Sequence, residues 1–216
     1  VCANTEGNVF YLAREMMYGL RDEFQYVECG NCGCLQIEEF PEDMAKYYPG
    51  QYYSFSEYDG KKFKGVIGAF KTKVYQQLVF GRGVLKQVAG LFSDQRDYEA
   101  FYGLDIARSS RILDVGCGNG QSFLYPLAEI GFTNLRGCDP YLENPISYSN
   151  GLKIENSTIF KMIGKWDMIT YHHSFEHIPD PLENLRRVKE LLVDGGVCLI
   201  RIPTASSFAW KHYRTN

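Results

Sequence analysis

The segment Arg111-Ile112-Leu113-Asp114-Val115-Gly116-Cys117-Gly118-Asn119-Gly120-Gln121-Ser122-Phe123-Leu124 constrains the fold of this chain more than any other. A short aliphatic run of strand character passes straight into a loop with glycine at 116, 118 and 120, and a helical pattern follows. Strand, glycine loop and helix in that order present backbone amides to a ligand at the carboxyl edge of an α/β sheet. A dinucleotide fold wants G-x-G-x-x-G after the strand. Here the spacing is G-x-G-x-G, with Asp114 two positions before the first glycine, which fits that motif poorly and leaves a nicotinamide enzyme as a third-ranked reading.

Two further strands are legible downstream. Leu135-Arg136-Gly137-Cys138-Asp139-Pro140 reads as a strand ending in an acid, and Trp166 to Tyr171 as another that delivers His172-His173-Ser174-Phe175-Glu176-His177-Ile178-Pro179-Asp180-Pro181. Asp180 is placed to cap a helix, with Pro181 in its first turn and Glu183 completing a capping-box-like start. Leu182, Leu185, Val188, Leu191 and Leu192 are expected to give that helix a buried stripe, and Asp194-Gly195-Gly196 stops it before a strand over 197–202.

In these motifs the chain resembles the class I S-adenosylmethionine-dependent methyltransferases, whose first motif is an acidic residue on a strand followed by G-x-G-x-G and whose fourth has the EHIPDP form. The resemblance implies an α/β, Rossmann-like sheet with helices on both faces. It implies that Asp114, Gly116, Cys117, Gly118, Asn119 and Gly120 hold the methionine part of S-adenosylmethionine. Asp139 would accept the ribose hydroxyls, with Pro140 and Tyr141 towards the adenine and His172 in the same cofactor site.

Three of the four histidines fall within six residues at the end of the 166–171 strand, where the transferring methyl would sit. A neutral imidazole there can take a proton as the methyl arrives, because its ordinary pKa lies near working pH, and His173 and His177 are the candidate bases. Glu176 and His177 beside His173 would otherwise hold a divalent metal, or only tie the loop to the helix.

The first 45 residues read differently. Cys29-Gly30-Asn31-Cys32-Gly33 is a CxxC turn whose glycines let backbone amides face two thiolates, as in a zinc ribbon, and Cys2 lies 27 residues upstream as part of a second pair. The expected ligands of a structural zinc are therefore Cys2, Cys29 and Cys32, with the remaining mate before Val1. Acidic residues and Pro41 end the ribbon, and a tyrosine-rich run, Tyr47 to Phe55, follows. Residues 61–86 carry seven basic side chains and no acidic one, with Ile67, Phe70, Val74 and Leu78 at helical spacing: a basic amphipathic helix suited to an anionic substrate, an acidic membrane face or a plain solvated surface. A shorter apolar pattern covers Val84 to Phe92, and after Ser93-Asp94 a second amphipathic stretch ends near Leu104.

A cysteine knuckle, a Tyr-Tyr-Ser loop, a helical segment and then this core together resemble the zinc-ribbon-containing sugar C-methyltransferases and related small-molecule enzymes. That group implies that a loop tyrosine, Tyr52 or Tyr53, with Tyr53 the catalytic candidate, acts with His177 in deprotonating the acceptor. The expected layout is 1–45 ribbon, 46–106 tyrosine loop and helical cap, and 107–216 cofactor-binding core. The core is expected to lack the last strands of a seven-stranded sheet, as a truncated and weakly active piece would. Composition bounds the rest: 45% hydrophobic and 23% charged residues suit a globular chain. A net charge of −3 lacks the basic balance of a nucleic-acid binder. The absence of a long apolar run or signal-peptide pattern predicts no integral membrane segment and a cytoplasmic location. The expected function is methyl transfer to a small molecule such as a nucleotide-linked sugar or a natural-product intermediate, against a non-catalytic cofactor-binding scaffold.

Overall fold

The computed structural model describes residues 3–48, 55, 58–81, 87, 98, 101 and 103–213. In chain order the elements are β1 (Val9–Arg14), β2 (Glu23–Glu28), β3 (Leu35–Ile37), α1 (Gly65–Phe80), β4 (Arg111–Val115), α2 (Leu124–Glu129) and β5 (Asn134–Cys138). There follow β6 (Ile146–Ser147), β7 (Lys153–Glu155), β8 (Trp166–His172), α3 (Pro181–Leu191), β9 (Leu192–Arg201) and α4 (Phe208–Tyr213). The chain divides into two compact units, one of residues 1–49 with 202–216 and one of residues 50–201.

In the first unit β1, β2 and β3 form an antiparallel sheet in that order. The β2–β3 turn is closed by Cys29 N–H donating to the Cys34 carbonyl (2.9 Å) and Gly33 N–H donating to the Cys29 carbonyl (2.8 Å). Gly30 packs so tightly on the Gly7 carbonyl that a Cβ would lie 2.3 Å from its oxygen. Its N–H donates to Asn8 Oδ1 (3.0 Å), so the 3–8 and 29–34 turns are tied together. Tyr11 and Trp210 meet edge to face with centroids 5.0 Å apart.

The second unit is built on a six-stranded sheet of order β6-β7-β5-β4-β8-β9, parallel throughout except for the antiparallel β6–β7 pair. Parallel strands bury both faces, and successive side chains alternate between them. Ile112, Leu135, Ile154 and Met168 accordingly pack with Val74, Tyr75 and Leu78 of α1 and with Phe123, Leu124 and Leu127. Leu113, Val115, Cys138, Ile169 and Tyr171 pack on the opposite face with Val188 and Leu191 of α3. Helices thus cover both faces, as expected.

Three local expectations change. On α3 Val188 and Leu191 are buried as expected, but Leu182 and Leu185 are exposed and Asn184, which accepts the Tyr171 hydroxyl, takes the inward place. The α1 stripe rotates: Val74 and Leu78 are buried as expected, but Ile67 and Phe70 face outward, while Gly68, Tyr75 and Val79 turn inward. The cause lies at Gly68, where a Cβ would come within 2.1 Å of the Phe63 carbonyl carbon, so the start of the helix seats its glycine on the preceding turn. At the other end, β9 begins at Leu192, directly after α3, rather than at Val197. Trp166 pairs with Leu192 and Met168 with Val197, so residues 193–196, the Asp-Gly-Gly run with its left-handed Gly195 (φ +76°), bulge out of the ladder instead of preceding it.

Candidate functional site

The glycine loop leaves the end of β4 and is held from beneath. Gly116 N–H donates to the Cys138 carbonyl at 2.8 Å, and its φ of +69° suits glycine. A Cβ there would lie 2.5 Å from Ser174 Cβ, while the Ser174 hydroxyl donates to the Val115 carbonyl at 2.6 Å. The segment after β8 therefore closes directly against the loop. Gly120, at φ +73°, has the side chain of Ile154 where its own Cβ would go.

Asp139, at the end of β5, is buried and fixes the loop from the side. Its Oδ2 accepts Gly118 N–H and its Oδ1 accepts Tyr141 N–H, both at 2.9 Å. Burial pushes its carboxyl up, against those two amides. Asn119 is buried as well: its side-chain oxygen accepts Gln121 N–H (3.0 Å) and its carbonyl accepts the Tyr148 hydroxyl (2.7 Å). Pro140 is exposed and Tyr141 half-buried beside this corner.

Asp114 sits deeper, almost without solvent contact, and accepts the Thr170 hydroxyl at 2.8 Å. Burial dominates, Thr170 opposes and Asp139 adds like charge, so its carboxyl is pushed up to about 8. A buried acid with this environment is mostly protonated near neutrality. Cys117 lies in the loop with its thiol also raised by burial.

By strand parity Thr170 and His172 share the face of Met168, the side on which Phe123 packs. The His172 ring lies 4.1 Å from the Phe123 ring, and both its nitrogens are buried with no hydrogen-bond partner among the described residues. Burial, and secondly His173, lower its pKa to about 4, so it is neutral. His173 is exposed and adopts a left-handed backbone (φ +55°), with its N–H donating to the Arg201 carbonyl at 2.8 Å. Its Nδ1 is 3.9 Å from Glu176 Oε1. Non-glycine residues hold this conformation at some strain, and such strain concentrates at functional sites. His177 is exposed, in the one-turn 3₁₀ segment Phe175–His177.

The structure thus gathers Asp114, Gly116, Cys117, Gly118, Asn119, Gly120, Asp139 and Tyr141 around the carboxyl ends of β4 and β5, with His172 and His173 at the end of β8. Thr170, Ser174 and Phe123 belong to the same corner and were not singled out from sequence. Thr170 could have been found from β8 parity, whereas Ser174 and Phe123 gave no signal of their own. Tyr52, Tyr53 and Cys2 lie outside the described residues. The zinc expectation is not met within the described ones: no group of three His, Cys, Asp or Glu side chains there is placed to hold a metal ion, around Cys29 and Cys32 or around His173, Glu176 and His177. Of the three expected ligands only Cys29 and Cys32 are among the described residues, and no third acid, imidazole or thiol among those residues completes a group with them.

The chain is similar in sequence to known methyltransferases. Residues 85–216 match the family described as a methyltransferase domain. A ubiquinone biosynthesis O-methyltransferase from Dinoroseobacter shibae is 32% identical over 119 residues, covering 48% of this chain and 47% of that protein, so the chain spans about half the length of this curated relative. Among solved structures, the plantazolicin methyltransferase BpumL with S-adenosylhomocysteine and a monoazolic desmethyl-plantazolicin analogue is 18% identical with a TM-score of 0.35, covering 57% of this chain and 55% of that one. The same enzyme with S-adenosylhomocysteine alone gives 19% and 0.34, over 57% of this chain and 55% of that one. With a family match over more than half its length, the chain belongs to the methyltransferase-domain family, in its class I, S-adenosylmethionine-dependent form.

Proposed function

We propose that this protein transfers the methyl group of S-adenosylmethionine to a small-molecule acceptor, a nucleotide-linked sugar or a natural-product intermediate. The observation that carries the reading is the convergence of the glycine loop, buried Asp139 and the His172-His173 pair at one edge of the sheet. The residues suit the cofactor: the two orphaned ring nitrogens of His172 call for a polar ligand, and glycine occupies the left-handed positions 116, 118 and 120.

S-adenosylmethionine supplies an electrophilic methyl group on a sulfonium. The loop from Gly116 to Gly120 offers its backbone to the amino-acid part, and the remaining lone pairs of Asp139 accept ribose hydroxyls, with Pro140 and Tyr141 alongside the adenine. His172 stays neutral because burial disfavours its charged form, so it sets no cation against a cationic ligand while offering one donor and one acceptor. His173, exposed at the rim, takes the proton from the acceptor, and its Nδ1 lies 3.9 Å from Glu176 Oε1. His177 and Tyr53 are further candidates for that proton transfer. Holding donor and acceptor in line supplies most of the acceleration.

On this reading 107–216 is the cofactor-binding core, 46–106 a tyrosine-rich loop and helical cap, and 1–45 an appended cysteine-turn segment, in a cytoplasmic protein. The test is formation of S-adenosylhomocysteine from S-adenosylmethionine with candidate acceptors. His173→Ala is expected to lose turnover while keeping cofactor binding measured by calorimetry. A chain that binds no S-adenosylmethionine, or a His173→Ala variant with full turnover, overturns the proposal for the site or for the base respectively.

A further inference from the structure

Independently of the catalytic reading, α1 carries an outward face that the core does not use. Val66 is the most exposed large hydrophobic residue among the described ones, at 89%, with Ile67 beside it on the same helix at 72%. Val66, Ala69 and Lys73 stand at i, i+3 and i+7, on one side of the helix, and all three are exposed. That side lies diametrically opposite Gly68, Tyr75 and Val79, which face the core. A helix apolar on both sides belongs between two apolar phases, and only one of them is the core of this unit.

The charged residues of the helix and of the turn just before it have one sign. Lys61, Lys62 and Lys64 precede the helix and Lys71 and Lys73 lie within it, while residues 60–81 contain no aspartate or glutamate. Asp59 pairs with Lys61 at 2.6 Å, and Lys62 donates to the Tyr75 hydroxyl at 2.7 Å. Lys64, the residue before the first turn, makes no side-chain cap, so the helix amino end adds its partial positive charge to that of the lysines. Large apolar side chains flanked by flexible ammonium groups suit a surface that is apolar beneath and anionic on top. A bilayer interface accepts them without fixed partner positions, as lysine stems extend along the apolar layer and their heads remain with the phosphates.

We propose that the outward face of α1 docks on an anionic phospholipid bilayer, with the helix lying in the interface. No helix among the described residues is long and apolar enough to cross a membrane, so the association is peripheral.

The experiment is cosedimentation of the intact chain with vesicles of phosphatidylcholine alone and of phosphatidylcholine with phosphatidylglycerol. Binding is expected only to the mixed vesicles, and to weaken as salt shortens the screening length from about 10 Å to about 3 Å. Each of Lys64→Gln, Lys71→Gln and Lys73→Gln should lower the partition coefficient about fivefold, the effect of one cation near an anionic surface. Val66→Ser with Ile67→Ser should lower it at every salt concentration. These variants should keep wild-type circular dichroism and wild-type affinity for S-adenosylmethionine, which separates a failed surface from a failed site. Equal partition onto neutral and mixed vesicles, no partition at all, or loss of self-association in the Val66→Ser, Ile67→Ser variant with vesicle binding unchanged would each overturn the proposal.

Discussion

Asp114→Asn isolates the physics of the buried first motif. The wild-type carboxyl titrates at 3.8 when exposed and at about 8 when folded, raised first by burial. Folding therefore retains a proton that the unfolded chain has released. The stability contributed by neutral Asp114 is complete below pH 3.8, declines through the interval and is lost above about pH 8. The slope approaches 1.4 kcal/mol per pH unit, so from about pH 5 to about pH 8 this one group should remove roughly 4 kcal/mol. Asparagine has the same shape and can still accept the Thr170 hydroxyl, but does not titrate. Urea unfolding of both proteins across that range should show the wild type falling steeply relative to the variant, the two lying within about 1 kcal/mol at the acid end. Asp139 titrates in the same direction in both proteins and cancels from the difference. Parallel stability curves would mean that Asp114 is ionised in the fold and that burial does not govern it.

Other substitutions test neighbouring parts. Tyr171→Phe removes the hydroxyl that donates to buried Asn184 Oδ1 and should lower stability by about 1 to 3 kcal/mol in denaturant titrations, because the amide is left unsatisfied. Gly116→Ala places a methyl against Ser174 at positive φ and should cost about 1 to 2 kcal/mol from the backbone alone, with S-adenosylmethionine affinity reduced further in calorimetry. Asp180→Ala removes the acceptor for Glu183 N–H and should cost about 1 kcal/mol, read as a lower thermal midpoint without loss of cofactor binding. His172→Phe preserves an aromatic contact with Phe123 and should leave the fold intact while weakening cofactor binding or turnover. An unchanged KM and kcat would remove His172 from the site.

Much of the second unit was legible because its elements are fixed by local chemistry. Arg111 to Val115 and Trp166 to Tyr171 are strands whose two faces are both buried, and the Asp180-Pro181 cap sets the start of α3 where it was expected. The orientation of α1 was not legible, since Ile67, Phe70, Val74 and Leu78 fit a helical stripe while the deciding contact, Gly68 against Phe63, involves a residue with no side chain. The origin of β9 was missed because a glycine pair that ends a helix and one that bulges from a strand look alike in sequence. At the site, Asp114 and Asp139 were identified as acids, but nothing in their spacing distinguishes one that takes a threonine hydroxyl from one that takes two backbone amides.

The Asp139 arrangement bears on how binding heat should be partitioned. With one carboxylate holding Gly118 on one side and Tyr141 on the other, the loop and the residues after β5 are already in register before any nucleoside arrives. The ordering term that a slack loop would add to association is then absent. In Asp139→Ala it should return as a more unfavourable binding entropy, alongside the enthalpy of the missing ribose contact.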